Sequence, residues 1–275
     1  MPNNARKDAA AINLIQITDC HLTKKENGEL LGVNTRESLN AVTDLVKHNI
    51  AINNHASPDY ILATGDLAQD ASAEAYCYFK SHMDQFGCPV KWFPGNHDDK
   101  AVMKSVIGEG KELEKCFEIG GWQIILLDSL VKNSVHGFLA SEELDLLEAS
   151  LKNNPQLHTL ISFHHHPINI DCVWLDKIGL HNQDAFFDII DRYDNVKALL
   201  WGHIHQELNG QRGDVALYAT PSTCIQFLPK SEDFAVDSSA PGYRWMRLLP
   251  NGDIETKVVR AENYEFDLDL ASNGY

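Results

Sequence analysis

Short apolar runs that break off into polar residues recur along this chain. Asn13–Thr18 runs into Asp19-Cys20-His21, Tyr60–Thr64 into Gly65-Asp66, and Val90–Phe93 into Pro94-Gly95-Asn96-His97-Asp98. His158–Phe163 runs into His164-His165-His166-Pro167, and Ala198–Trp201 into Gly202-His203-Ile204-His205. Runs of this length, bounded by Gly and Pro, predict buried strands. Between them, Leu39, Val42, Leu45 and Val46 mark one helix face, with Asn34 and Glu37 as its start signal. Leu144, Leu147 and Leu151 mark a second helix entered at Ser141, and Gln183–Arg192 a third. Alternating strands and helices predict an α/β architecture. Later, Val215–Ala219, Tyr243–Leu249 and Ile254–Val259 read as strands with little helix between them. The Pro250-Asn251-Gly252 turn joins the last two as an antiparallel hairpin, so mixed sheets are expected. Residues 1–260 are read as a single domain and 261–275 as an acidic, mobile tail.

Composition narrows the function. The 275 residues, 44% hydrophobic and 23% charged, suit a soluble globular chain with a sizeable core. A net charge of -16 argues against nucleic acid and anionic membrane as partners, since both are bound through Lys and Arg. The six cysteines form no C-x-x-C pair and read as scattered buried thiols. The first ten residues lack an apolar signal core, and no run approaches the roughly 18 apolar residues of a membrane span. A cytoplasmic protein is expected.

The strand ends carry the candidate chemistry. Ligands of open α/β sheets collect outside the carboxyl ends of strands, and five strands here end in Asp, Asn or His. In an extended segment Asp19 and His21 point to one side and Cys20 to the other; His203, Ile204 and His205 repeat that logic. Gly202 lets the backbone come close. Asp66 offers two oxygens that can bridge two ions, Asn96 a neutral oxygen, and one histidine of the 164–166 run another imidazole. A nitrogen and oxygen set without thiolate suits iron, manganese, zinc or cobalt and disfavours a closed structural zinc site. Two such ions roughly 3.5–4 Å apart can activate water and clamp a phosphoryl group. With only Asp19 and Asp66 against them, they leave local positive charge for a phosphodiester despite the acidic exterior.

In this order, D-x-H, G-D, G-N-H-D, H-x-P and G-H-x-H resemble the calcineurin-like metallophosphoesterase superfamily. The segments NHDD, HHHP with WLD, GHIHQE, ATPSTCIQF and APGYR resemble its bacterial class III 3′,5′-cyclic AMP phosphodiesterases, over about Leu14 to Arg260. The resemblance implies a layered α/β/β/α sandwich and hydrolysis of cyclic AMP to 5′-AMP by two divalent metal ions, iron or manganese foremost. It implies Asp19, His21, Asp66 and His205 at the first ion, and Asp66, Asn96, His165 and His203 at the second. His165 is chosen because the family's ligand stands two residues before a proline, here Pro167, with His164 as the fallback. His97 and Asp98 match a substrate-contacting histidine and its orienting carboxylate. His21, Asp66, Asn96, His97 and His205 are the expected substrate contacts. Trp174, His181 and Phe227 are candidates for the base, although packing explains them as well, and Lys24-Lys25 fits a solvated turn. Two readings compete: a metallophosphoesterase for other phosphodiesters or phosphomonoesters, and a non-catalytic scaffold on the same fold. Intact His97, His203 and His205 argue against the scaffold.

Overall fold

The computed structural model describes residues 10–52, 57–272 and 274. In chain order, the first half contains β1 (Ile12–Ile17), β2 (Glu29–Leu30), β3 (Val33–Asn34), α1 (Thr35–Ile52), β4 (Tyr60–Ala63), α2 (Ala73–Met83), β5 (Val90–Trp92) and α3 (Lys100–Ile107). The middle contains β6 (Cys116–Ile119), β7 (Trp122–Leu126), α4 (Ser141–Asn153), β8 (His158–Ser162), α5 (Val173–Asp176), α6 (Gln183–Ile190), β9 (Val196–Trp201), β10 (Leu208–Arg212) and β11 (Val215–Ala219). Then follow β12 (Gln226–Phe227), β13 (Val236–Asp237), β14 (Gly242–Leu248) and β15 (Ile254–Arg260).

Two mixed sheets result. The first has the order β15-β14-β1-β4-β5, the second β10-β11-β9-β8-β7-β6. In the first, β1, β4 and β5 are parallel, and the β14–β15 hairpin adds antiparallel to β1. In the second, β7, β8, β9 and β11 are parallel between antiparallel edges.

The strands read as continuous apolar runs because both faces are buried. Leu14, Leu62, Ile124, Leu160, Leu200 and Met246 fill the space between the sheets. Their strand neighbours Ile15, Ile17, Ile61 and Ala63 face outward onto Leu39, Val42, Phe79 and Met103 of α1, α2 and α3. On the other side Ile125, Ile161 and Leu199 face Leu147, Leu175, Phe186 and Ile190 of α4, α5 and α6. Period-two alternation therefore separates an inner core from two outer ones, and the layers run α/β/β/α. Asn34 caps α1 as expected, its Oδ1 accepting from Arg36 N at 3.0 Å and Glu37 N at 3.1 Å. Beyond β15, Tyr264, Phe266 and Leu268 pack on the second sheet's outer core, and Asp269 N donates to the Leu31 carbonyl at 2.9 Å.

A polar knot bridges the sheets. Gln16 on β1 donates to Thr64 Oγ1 at 2.8 Å and to the Trp201 carbonyl at 3.0 Å, and accepts from Thr220. Arg244 on β14 is fully buried and donates to Thr220, Asn209, Thr256 and the carbonyls of Leu208 and Ala219. Burial lowers its guanidinium to about 10, so it remains a cation at neutral pH, held by five acceptors.

Candidate active site

The carboxyl ends of β1, β4, β5, β8 and β9 deliver the chemistry-bearing loops to one edge of the sandwich. Backbone bonds lock these loops together: Asp19 N to the Gly65 carbonyl at 3.0 Å, His21 N to Asp66 at 2.9 Å, and Gly202 N to His164 at 3.2 Å. Close approach requires glycine. A Cβ on Gly202 would stand 2.6 Å from Asp19 Oδ2, and one on Gly95 would collide with the Asp66 carboxylate.

Asp19 and His21 converge on one ligand group, which His205 joins, while His203 enters another, and the backbone differs from the extended one expected. All four, and Asp66, lie in the left-handed region, with φ of 53°, 47°, 65°, 49° and 50° respectively. For residues with a Cβ this costs about 1–3 kcal/mol each, a strain that clusters at functional sites. Cys20 and Ile204 turn into the core as predicted.

Three groups of ligand atoms lie within 4.8 Å of one another: Asp19, His21 and His205; His21, Asp66 and His97; Asp66, His164 and His203. Asp66 belongs to two of them. Asn96 Oδ1 is buried without a hydrogen-bond partner among the described residues.

Within the histidine triplet, His164 groups with Asp66 and His203, with its Nε2 3.1 Å from Asp66 Oδ2, so the fallback stands as a candidate ligand beside His165. The alternation of β8 continues past its last ladder residue: Ile161 and Phe163 face the helices, so His164 turns inward. His165 has its ring against Gly137 and its Nδ1 2.8 Å from Ser129 Oγ, while its Nε2 is buried without a hydrogen-bond partner among the described residues and its ring lies 4.6 Å from that of His203. His166 stacks on His203 with centroids 5.7 Å apart, and its Nε2 is 3.8 Å from Asp176 Oδ1.

The donor set fits metal ions. His205 Nδ1 donates to the Ile225 carbonyl at 2.8 Å, His164 Nδ1 to Thr64 at 2.9 Å, and His203 Nε2 to Ile178 at 3.1 Å. His21 Nδ1 meets Gln69 Oε1 at 2.6 Å. Each ring is thereby fixed in the tautomer that turns a lone pair inward. The Nε2 atoms of His21 and His205 then face each other at 3.2 Å, with Asp19 Oδ1 3.2 Å from His205 Nε2. Facing lone pairs and carboxylates repel unless a cation lies between them. Burial drives His21 down to about 3 and His203 well below the usual histidine range, favouring the neutral ligand form. Burial also opposes charge on His164, but the adjacent Asp66 carboxylate more than offsets it and raises the imidazole to about 9. The sequence reading passed over Gln69 and the orienting carbonyls; of these only Gln69 has a side chain to read, and no spacing marks it.

Asp98, expected as the carboxylate that orients His97, is tied into the backbone. Its carboxylate accepts from Leu67 N, Ala68 N, Gly95 N and the Tyr76 hydroxyl, at 2.9–3.2 Å. These four donors fill its lone-pair sites, so Asp98 staples the loop after β4 to the loop after β5. His97 is half-buried; its backbone N–H donates to Asp66 Oδ1 at 2.8 Å, and its ring lies 5.0 Å from that of His21. Of the expected substrate contacts, Asp66, Asn96 and His97 line an open cavity of about 280 Å³; His21 and His205 are buried outside its lining. His203 also lines it.

The calcineurin-like phosphoesterase model matches residues 12–207, the stretch that carries every one of these strand ends. The chain belongs to that family. It is 40% identical over 273 residues to the 3′,5′-cyclic adenosine monophosphate phosphodiesterase CpdA of Pseudomonas aeruginosa, covering 99% of this chain and 98% of that one. The protein of the same name from Escherichia coli K12 is 42% identical over 268 residues, covering 97% and 96%. Among solved structures, a dimetal phosphatase from Danio rerio shares the fold with a TM-score of 0.62 at 16% identity, covering 91% of this chain and 99% of its own.

Proposed function

We propose that this phosphoesterase hydrolyses 3′,5′-cyclic AMP to 5′-AMP in the cytoplasm, lowering a cyclic-nucleotide messenger. The observation that carries the reading is the near-complete span of its resemblance to cyclic AMP phosphodiesterases, with an Asp, Asn and His cluster at five strand ends. Asp19, His21, Asp66 and His205 would hold one divalent ion; Asp66, Asn96, His164 and His203 would hold the other. Iron or manganese suits this nitrogen and oxygen set best, and zinc or cobalt also fits it. When bound, such ions supply Lewis-acid polarisation of the phosphoryl group and an activated water. Among the described residues no helix is long and apolar enough to cross a membrane.

The chain's own residues do the rest. The carbonyl-fixed imidazoles hold their ligand atoms without reorganisation. Asp98 keeps Asn96 and His97 in register with Asp66. His97, at the open side of the cluster, donates a hydrogen bond to the phosphate and a proton to the departing 3′ oxygen, which makes 5′-AMP the product.

The test is product chromatography on chelated protein before and after manganese or iron is restored. The reading expects cyclic AMP to be consumed only after metal addition, with 5′-AMP as product. Turnover of other phosphate esters without turnover of cyclic AMP would favour the broader phosphoesterase reading. Mainly 3′-AMP would reverse the substrate's orientation.

A further inference from the structure

The cavity bounded by Asp66, Asn96 and His97 has a second, apolar end. Trp174, Phe227 and Phe234 line it, with Ile178 beside them. The rings arrive from two separate elements. Trp174 comes from α5, and Phe227 and Phe234 from the two sides of the β12–β13 hairpin, where Leu228 N donates to the Ala235 carbonyl at 2.9 Å. Ser231 stitches the elements together: its carbonyl accepts Val173 N at 3.0 Å and its Oγ accepts Trp174 Nε1 at 3.1 Å. The rings meet at 4.9, 5.1 and 5.6 Å between centroids, at angles of 62–79°. Trp174 and Phe234 are only partly buried and line the cavity.

We propose that Trp174 and Phe234, backed by Phe227, form the base subsite and take the purine of a 3′,5′-cyclic nucleotide. This rests on the cyclic AMP reading above. The substrate has a charged end and a flat apolar end joined by one sugar, and the cavity has ligating groups at one end and aromatic rings at the other. Phe227 makes the two ends continuous, because it stacks on His205. A phosphate held at the ion cluster therefore has its base directed along the aromatic wall that Trp174, Phe227 and Phe234 form among the described lining residues. Every base presents a π-face, so rings of this kind grip it whatever its edge pattern. They bind substrate and transition state alike, which moves KM more than kcat.

The experiment compares cyclic AMP with ribose 3′,5′-cyclic phosphate, the same cyclic ester without a base. In the Trp174→Ala protein, kcat/KM for cyclic AMP should fall roughly 5- to 150-fold, mainly through KM, the range that loss of one base-stacking ring gives. The base-free ester should be unaffected, which also shows that the variant is folded and active. Trp174→Phe should restore most of the loss, and Phe234→Ala should repeat its direction. Equal loss on both esters would make the ring a packing residue and overturn the proposal. No loss on either would put the base elsewhere and overturn it too. Failure of the cyclic AMP reading looks different: the wild-type protein would turn over neither ester, and the base subsite would fall with it.

Discussion

Phe227 lies flat against His205, with ring centroids 4.1 Å apart and planes 12° from parallel. One face of a proposed ligand imidazole is thus held by an aromatic ring while its Nδ1 is held by the Ile225 carbonyl. Phe227→Ala should free the ring to rotate. Metal affinity of the site that contains His205 should weaken about 10-fold, within the range found for groups that orient ligands. Titration of the apoprotein with manganese measures this; unchanged affinity would mean that the Ile225 carbonyl suffices.

The triplet gives a sharper comparison. His164→Ala should lower the occupancy of one ion, while His165→Ala should leave both bound, because His165 is turned toward Ser129. Metal analysis of the two proteins side by side decides it. Equal loss from both would contradict the register read from β8.

Two sequence rules read the triplet differently: counting back from Pro167 selects His165, and counting forward from Ile161 with a period of two selects His164. Other parts lay outside what local pattern carries. The edge strands β6 and β10 are largely solvated, so Leu208–Arg212 gives no apolar run to read. β7 runs into Leu127-Asp128-Ser129 and so ends in a carboxylate like the strands that were read, but its run was passed over. In α2 the buried face mixes Ala75, Tyr76, Phe79, His82 and Met83, which blurs the helical period. Asp98 is marked in the sequence by following His97, and its four donors appear only in the tertiary structure. The wall of Trp174, Phe227 and Phe234 joins segments some fifty residues apart. By contrast, strand ends rich in Asp, Asn and His needed no tertiary knowledge, because parallel strands deposit such residues at one edge.

His97 is assigned to proton transfer rather than to metal binding. His97→Ala should retain both ions and lose cyclic AMP turnover by about 10²–10⁴-fold, the usual worth of a general acid. A nitrophenyl diester, whose leaving group departs without a proton, should suffer much less. Parallel kinetics on both substrates check this. Equal losses would reduce His97 to phosphate binding, and loss of metal would make it a ligand.

Arg244 is a stability determinant with no direct part in the chemistry. Arg244→Leu should lower unfolding free energy by roughly 3 kcal/mol, because it leaves the Leu208 and Ala219 carbonyls buried and unpaired. Urea unfolding of metal-loaded protein measures the difference; a change below about 1 kcal/mol would show that water replaces the guanidinium.

The centre as a whole rests on Asp66, which stands in two of the three ligand groups and whose two oxygens face different partners, His97 N and His164 Nε2. The most direct test is the metal content per chain of Asp66→Ala beside the wild-type protein, after both are loaded with manganese and freed of excess. The account predicts two tightly bound ions in the wild type and the loss of at least one, together with cyclic AMP hydrolysis, in the variant. Two tightly retained ions in Asp66→Ala would contradict a centre built around a shared carboxylate.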